Sequence, residues 1–169
     1  RMYPLMEGGY LLSFIAYIGG IAAFGAATIA LVQTDIKAVL AFSTISQLGY
    51  MVIGIGVGSY NASFMHLITH AVFKACLFLS AGSVIHSIHE QQMPKMGGLR
   101  KKLPYTFLAM LLCCLAIAGV PFFSGFVSKD RILGDALVMA LANPVYIPVA
   151  LLGFAGAGLT AFYMFRMLF

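Results

Sequence analysis

The sequence predicts an all-α integral membrane protein, a transmembrane helix bundle of about five spans with one discontinuous helix. Three observations predict it. The chain of 169 residues is 62% hydrophobic and only 9% charged, against about 25% charged in ordinary soluble domains, and its mean hydropathy is +0.98. Positions 8–34, 38–65, 103–128 and 136–165 carry no Asp, Glu, Lys or Arg, and each run is long enough for the roughly 20 residues that cross a bilayer core. The fourth apolar segment is interrupted by Gly119-Val120-Pro121 and Ser124-Gly125. No stretch is long and polar enough for a separate soluble domain, so residues 1–169 read as a single transmembrane domain. The chain starts at Arg1 and ends on Phe169 directly after a hydrophobic segment. Both ends look cut, and a piece of a longer protein is expected.

The first span is expected over about Gly9–Gln33, with Gly19, Gly20, Gly25 and alanines 22, 23, 26 and 27 offering small faces for close helix approach. Thr34-Asp35 is a tight polar connection, and Asp35 is placed to cap the next helix and meet its positive dipole end. The second span, about Ile36–Val57, carries Ser43, Thr44, Ser46 and Gln47, which need partners or water inside a bundle. Gly58-Ser59-Tyr60-Asn61 turns the chain, with Asn61 or Ser59 as the cap of a third span reaching Ile88.

A loop from Glu90 to Leu103 follows, and Pro104 then suits a helix first turn, with Tyr105 at an interface. The fourth segment runs to about Gly119. Pro121 removes a backbone hydrogen bond there, and the flanking glycines relax the chain. Helix resumes through Ser128-Lys129-Asp130-Arg131 to about Leu141. A break at membrane depth is tolerated where protein or water satisfies the freed groups, so one discontinuous helix is preferred, with Lys129-Asp130 at its break. The rival is two complete spans with a short turn, which would put Lys129 at a membrane surface. The last span is about Val145–Phe169, with Gly153, Ala157 and Ala161 at four-residue spacing and Arg166 near its end.

The basic excess is local. Lys95, Arg100, Lys101 and Lys102 share one loop with Glu90 as the nearby acid, which points to the cytoplasmic or matrix side of a membrane rather than to nucleic acid. Five spans put the Asp35 turn, this loop and Arg166 on that same side. Cys76, Cys113 and Cys114 fall within apolar helices, make no C-x-x-C pair and read as packing residues.

The candidate functional residues begin with His66, His70 and Lys74, which recur every fourth position within an apolar helix. Such a spacing keeps them on one face, rising about 6 Å apiece. A lysine near a bilayer centre costs on the order of 2.5–3.5 kcal/mol. Groups that take up and release protons, aligned toward a bundle interior, read first as a proton path connected by ordered water. The alternative is that both histidines only make interhelix hydrogen bonds and Lys74 pairs with a distant acid. Metal binding is disfavoured, because no Cys, Asp or Glu stands near to complete a shell. Lys129 at a helix break could be held by unwound carbonyls and gated by water; the competing reading is a surface Lys/Asp/Arg cluster. Asp35 and Lys37 read as cap and interface anchor, and Arg166 as a residue whose head reaches the interface.

Five ordered motifs resemble those of the antiporter-like membrane subunits of respiratory complex I: Gln33-Thr34-Asp35-Ile36-Lys37; Ala41-Phe42-Ser43-Thr44-Ile45-Ser46-Gln47-Leu48-Gly49-Tyr50; His66-Leu67-Ile68-Thr69-His70-Ala71-Val72-Phe73-Lys74-Ala75; Lys95-Met96-Gly97-Gly98-Leu99; and Ser124-Gly125-Phe126-Val127-Ser128-Lys129-Asp130. They cover nearly the whole chain, and the nearest resemblance is to the distal subunit, chain L of bacterial enzymes or subunit 5 of mitochondrial ones. The resemblance implies a bundle built from two inverted repeats, each with a discontinuous helix, joined by a hydrated polar axis. It implies that His70 and Lys74 are central-axis groups, that Lys129 is the lysine of the second discontinuous helix, exchanging protons with the outer side, and that Asp130 is the acid beside it. The chain departs at Arg131, usually an acid in the family, and at Ala38, often basic. By the same resemblance the first half-channel would lie before Arg1 and a long lateral helix beyond Phe169, so this piece alone is not expected to pump.

The expected function is therefore proton translocation by the C-terminal part of an antiporter-like subunit of an NADH:quinone oxidoreductase, driven by electron transfer elsewhere in the complex. The proton path would comprise His66, His70, Lys74, Lys129 and Asp130, supported by Asp35, Lys37, Ser43, Thr44, Ser46 and Gln47. The chain would act as a non-redox, translocating subunit of that enzyme. No flavin, iron–sulfur or nicotinamide motif occurs, so no catalytic, cofactor-binding or metal residue is expected, and NADH, flavin, iron–sulfur clusters and quinone would belong to partner subunits. Expected partners are other membrane subunits, the lipid bilayer and H⁺, with Na⁺ as the alternative ion. The expected location is a bacterial inner membrane, or a mitochondrial inner or plastid membrane. Alternatives are the large subunit of a multisubunit Na⁺/H⁺ antiporter, a membrane-bound hydrogenase subunit and a purely structural membrane scaffold.

Overall fold

The computed structural model describes residues 10–169. Its helices are α1 (Leu11–Val32), α2 (Ile36–Gly56), α3 (Tyr60–Ile88), α4 (Leu99–Lys102), α5 (Pro104–Ala118), α6 (Ser124–Ala142) and α7 (Ile147–Leu168), with 3-10 turns at Met93–Lys95 and Pro144–Tyr146. No strand is present among the described residues. Four helical segments, α1, α2, α3 and Pro144–Leu168, are long and apolar enough to cross a membrane, and α5 is a shorter apolar helix. Gly9, expected to begin the first span, lies outside the described residues.

The fourth segment is one broken span. At 15 residues α5 reaches about 22 Å, short of a bilayer core of about 30 Å. The two apolar cores show where its halves lie. Met110, Cys114 and Ile117 of α5 pack with Ile36 and Leu40 at the start of α2, Leu77 and Val84 late in α3, and Met167 at the end of α7. Ile132, Leu133 and Ala136 of α6 pack instead with Ala16 of α1, Val57 after α2, Ala62 of α3 and Val149 of α7. So α5 fills the half nearer the basic loop, and α6 continues into the opposite half. At the break Gly119 closes α5 in the left-handed conformation, φ 80°, its N–H on the Ala116 carbonyl. Phe122 also has positive φ, 76°, which costs a non-glycine residue on the order of 1–3 kcal/mol. Gly125 is obligatory, since a Cβ there would stand 1.9 Å from the Ala116 carbonyl oxygen.

Asp35 caps α2, accepting from the Lys37 and Ala38 amides at 2.7 and 3.2 Å. The turn before it is clasped to the basic loop by Ile36 N–H on Gln91 O and Met93 N–H on Thr34 O. Arg166 does more than reach an interface: its guanidinium donates to the Leu31 and Gln33 carbonyls, tying the end of α7 to the end of α1. Cations there complement the negative helix terminus.

Three local expectations are corrected. Neither Ser59 nor Asn61 caps α3; Asn61 is already helical, and the Ser59 hydroxyl donates to Asp135 of α6. Gly25 has open space where a Cβ would go, whereas Gly19 stands opposite Gly49, where a Cβ would lie 2.5 Å from the α2 backbone. On α7 the close approaches are made by Gly153 and Gly156, against Leu133 and Tyr50. Ala157 and Ala161 are only partly buried.

Candidate functional site

The apolar sequence of α3 leaves much of its surface exposed, as on Phe64, Ile68, Val72 and Leu79, while its polar face is buried against α2 and α6. His66, His70 and Lys74 are all buried, at 1%, 6% and 5% exposure. The two imidazoles lie 6.2 Å apart between ring centres, and His70 meets Phe73 edge-on at 5.4 Å. His70 Nε2 is buried without a hydrogen-bond partner, a group that an ordered water would satisfy. Lys74 donates to the Leu40 carbonyl at 2.8 Å, which also accepts from the Thr44 hydroxyl at 2.9 Å.

His66 sits inside a directed network. Gln47 donates through Nε2 to Thr160 at 3.5 Å, and Thr160 donates onward to the Gly156 carbonyl at 2.8 Å. Gln47 Oε1 therefore faces His66 Nε2, 3.3 Å away, and accepts a hydrogen bond from its N–H. That leaves His66 Nδ1 to accept from the Ser128 hydroxyl at 2.8 Å. Tyr163 donates to Ser43 at 3.0 Å beside this network, and Ser46 ties α2 to the Ala23 carbonyl of α1 at 2.8 Å.

Lys129 is buried on the second turn of α6 rather than in the break itself, and its ammonium reaches back to the Ile117 carbonyl at 3.2 Å. That carbonyl belongs to the last turn of α5, where helical partners run out. The ammonium also lies 4.7 Å from the Tyr50 ring centre, a cation–π arrangement. Lys74 has no distant acid as partner. Among the described residues the ion pairs are Lys95–Glu90 and Arg131–Asp135, both peripheral. Each buried lysine thus rests on a neutral carbonyl and can gain or lose charge without breaking an ion pair.

Asp130 is exposed on α6, away from the column, beside Arg131 and Asp135 in a groove at the far end of α3. Lys37 is exposed as well. At the basic face, the Glu90 carboxylate is held below the usual carboxylate range by the Gln92 and Gln91 amides and by Lys95. No group of three metal-ligating side chains occurs among the described residues.

Ser128, Thr160, Tyr50 and Tyr163 were not singled out by sequence reasoning. Thr160 and Tyr163 are among the few polar groups of the apolar α7, and that was their available signal, whereas Ser128 and Tyr50 stand among polar neighbours on α6 and α2 that masked them.

A helical membrane bundle with unpaired lysines beside a broken helix is the architecture of discontinuous-helix transport proteins. The chain belongs to the transmembrane family described as NADH:quinone oxidoreductase/Mrp antiporter, whose model matches residues 1–156. It is 52% identical, over its full length, to the NAD(P)H-quinone oxidoreductase chain 5 of Picosynechococcus sp., covering 26% of that protein. It is 48% identical to NADH-quinone oxidoreductase subunit L of Rhodobacter capsulatus, again over 100% of the chain and 25% of the relative. The chain thus spans about a quarter of the length of these curated relatives. A solved structure of the Mrp complex from Dietzia sp. matches 89% of this chain and 17% of that one, with TM-score 0.80 and 35% identity.

Proposed function

We propose that this chain forms a half-channel of a proton-translocating, antiporter-like subunit in an NAD(P)H:quinone oxidoreductase. The observation that carries the reading is the buried line of Lys74, His70, His66 and Lys129, with both lysines on backbone carbonyls and no carboxylate beside them. Buried charges are costly unless they serve, and in membranes they mark ion pathways. Charge arriving next to Lys74 would change which of these groups holds a proton, and water at the unpartnered His70 Nε2 would bridge the gaps. Lys129, facing the broken helix, would exchange with the far side. Asp130 is the nearest acid in sequence to Lys129 and would receive protons in the exposed groove. The redox cofactors, NADH, flavin, iron–sulfur clusters and quinone, would reside in partner subunits, and the chain would act in a bacterial, organellar or plastid membrane.

The test is proton pumping and electron transfer in vesicles carrying the full-length complex with Lys129→Ala, after assembly is verified. Loss of pumping is expected; normal pumping at normal turnover would reduce Lys129 to an anchor. The likeness to the Mrp complex favours one second reading, Na⁺/H⁺ exchange. Sodium-dependent proton uptake into vesicles, without any electron donor, would support it.

A further inference from the structure

The groove at the far end of α3, about 680 Å³, is lined by Ser59, Asn61, Met65, Asp130, Asp135 and, at its floor, Ser128. Ser128 itself is fully buried, at 0% exposure, so the groove stops one side chain short of the column. The other side of that serine is the 2.8 Å hydrogen bond to His66 Nδ1. The opposite nitrogen of His66 is committed to Gln47, a carboxamide, which passes no proton at neutral pH. Nδ1 is therefore the one titratable position on this histidine, and Ser128 stands between it and the groove.

We propose that Ser128 is the proton port of His66, linking it to the groove and to no other member of the column. The inference rests on the proton-translocation reading above. The step is a relay. A hydronium entering from the groove gives a proton to Ser128 Oγ while the hydroxyl proton of Ser128 passes to His66 Nδ1, leaving imidazolium, a neutral serine and water. The return runs in reverse, and no bonds other than O–H and N–H change. The structure holds the resting places that such a relay needs. Once Nδ1 carries its own proton and donates to Ser128, the serine hydroxyl can turn to the Ser124 or Gly125 carbonyl, 3.4 and 3.5 Å away. His66 is then a terminus facing the far side rather than a through-station. Its charge acts on His70 of the same helix and on Lys129 of α6, the groups in electrostatic reach. Tyr50 on α2, under the Lys129 ammonium, and Tyr163 on α7, bound to Ser43, are the other titratable groups facing this region. Acidifying the far side loads His66 and opposes a proton on Lys129.

The experiment uses the full-length complex in vesicles, with pH on the groove side varied at fixed pH on the other, comparing wild type, Ser128→Ala, Ser128→Thr and Lys129→Ala. Expected is a groove-side pH response of pumping that Ser128→Ala loses and Ser128→Thr, which keeps the hydroxyl, retains. A full response in Ser128→Ala, equal loss in Ser128→Thr, or no response in wild type would each overturn the port. Normal pumping by Lys129→Ala would instead reduce Lys129 to an anchor and remove the proton-path reading on which the port rests, so the two failures are separable.

Discussion

Gly49→Ala should separate α1 from α2 and disturb the site from a distance. The added Cβ would stand 2.5 Å from Ala23 N, 2.7 Å from Ala23 Cα and 2.8 Å from the Gly19 carbonyl oxygen. Carbon contacts settle near 3.5–4.0 Å, so the helices must part by about 1 Å. All three neighbours are backbone, and no rotamer relieves them. Overpacking of this kind costs about 1–3 kcal/mol. The Ser46–Ala23 bond, 2.8 Å at present, is stretched beyond usefulness, adding about 1 kcal/mol. Against this, alanine is the better helix former by about 1 kcal/mol. The net loss is about 1–3 kcal/mol. Gly25→Ala, on the same helix pair with nothing within 4 Å of its Cβ, carries only the gain of up to about 1 kcal/mol. Reversible unfolding of the full-length subunit in mixed micelles measures both. Equal stability of the two variants would refute the packing argument. Pumping should also fall in Gly49→Ala, because Gln47 and Tyr50 move with α2.

Other perturbations separate local roles. Arg166→Leu frees the Leu31 and Gln33 carbonyls and should weaken the α1–α7 tie by about 1 kcal/mol, a low value because the guanidinium is exposed; faster amide exchange in the Gln33–Asp35 turn checks it. Tyr50→Phe keeps a ring beneath Lys129 and loses the 2.9 Å bond to the Gly153 carbonyl, about 1 kcal/mol, so it should pump, whereas Tyr50→Leu should not. Glu90 has a lowered carboxyl pKa in the fold, so its contribution is present above the ordinary carboxylate range and lost as pH falls through its own pKa. Protection of the Gln91 and Gln92 amides, corrected for intrinsic exchange, should drop over that acid range in wild type and be already reduced at neutral pH in Glu90→Gln.

What the sequence made legible follows from distance along the chain. Asp35 and Pro104 act on residues within a turn of themselves, so capping rules found them. The broken helix was readable from Gly119, Pro121 and Gly125 together, since their effects are on their own backbone. Ser59 was misread because its partner, Asp135, is 76 residues away. Gly25 and Gly49 are equally small in a sequence; only the pairing of α1 with α2 decides which is indispensable. Gln47 announced itself as a polar group needing a partner. That the partner is His66, and that Ser128 and Thr160 complete the network, depends on three helices converging.

The placement of the column also has an electrical consequence. Lys74 and His66 are eight residues apart on α3, about 12 Å along the helix axis, or about two-fifths of a 30 Å core. Apolar clusters flank this interval in the two halves of the bundle, and a field falling evenly across the core acts on any charge within it. Moving one elementary charge across 100 mV is worth about 2.3 kcal/mol, so a proton held at His66 and one held at Lys74 differ by about 0.9 kcal/mol in that potential. A charge on the column would thereby answer to the membrane voltage as well as to its neighbours.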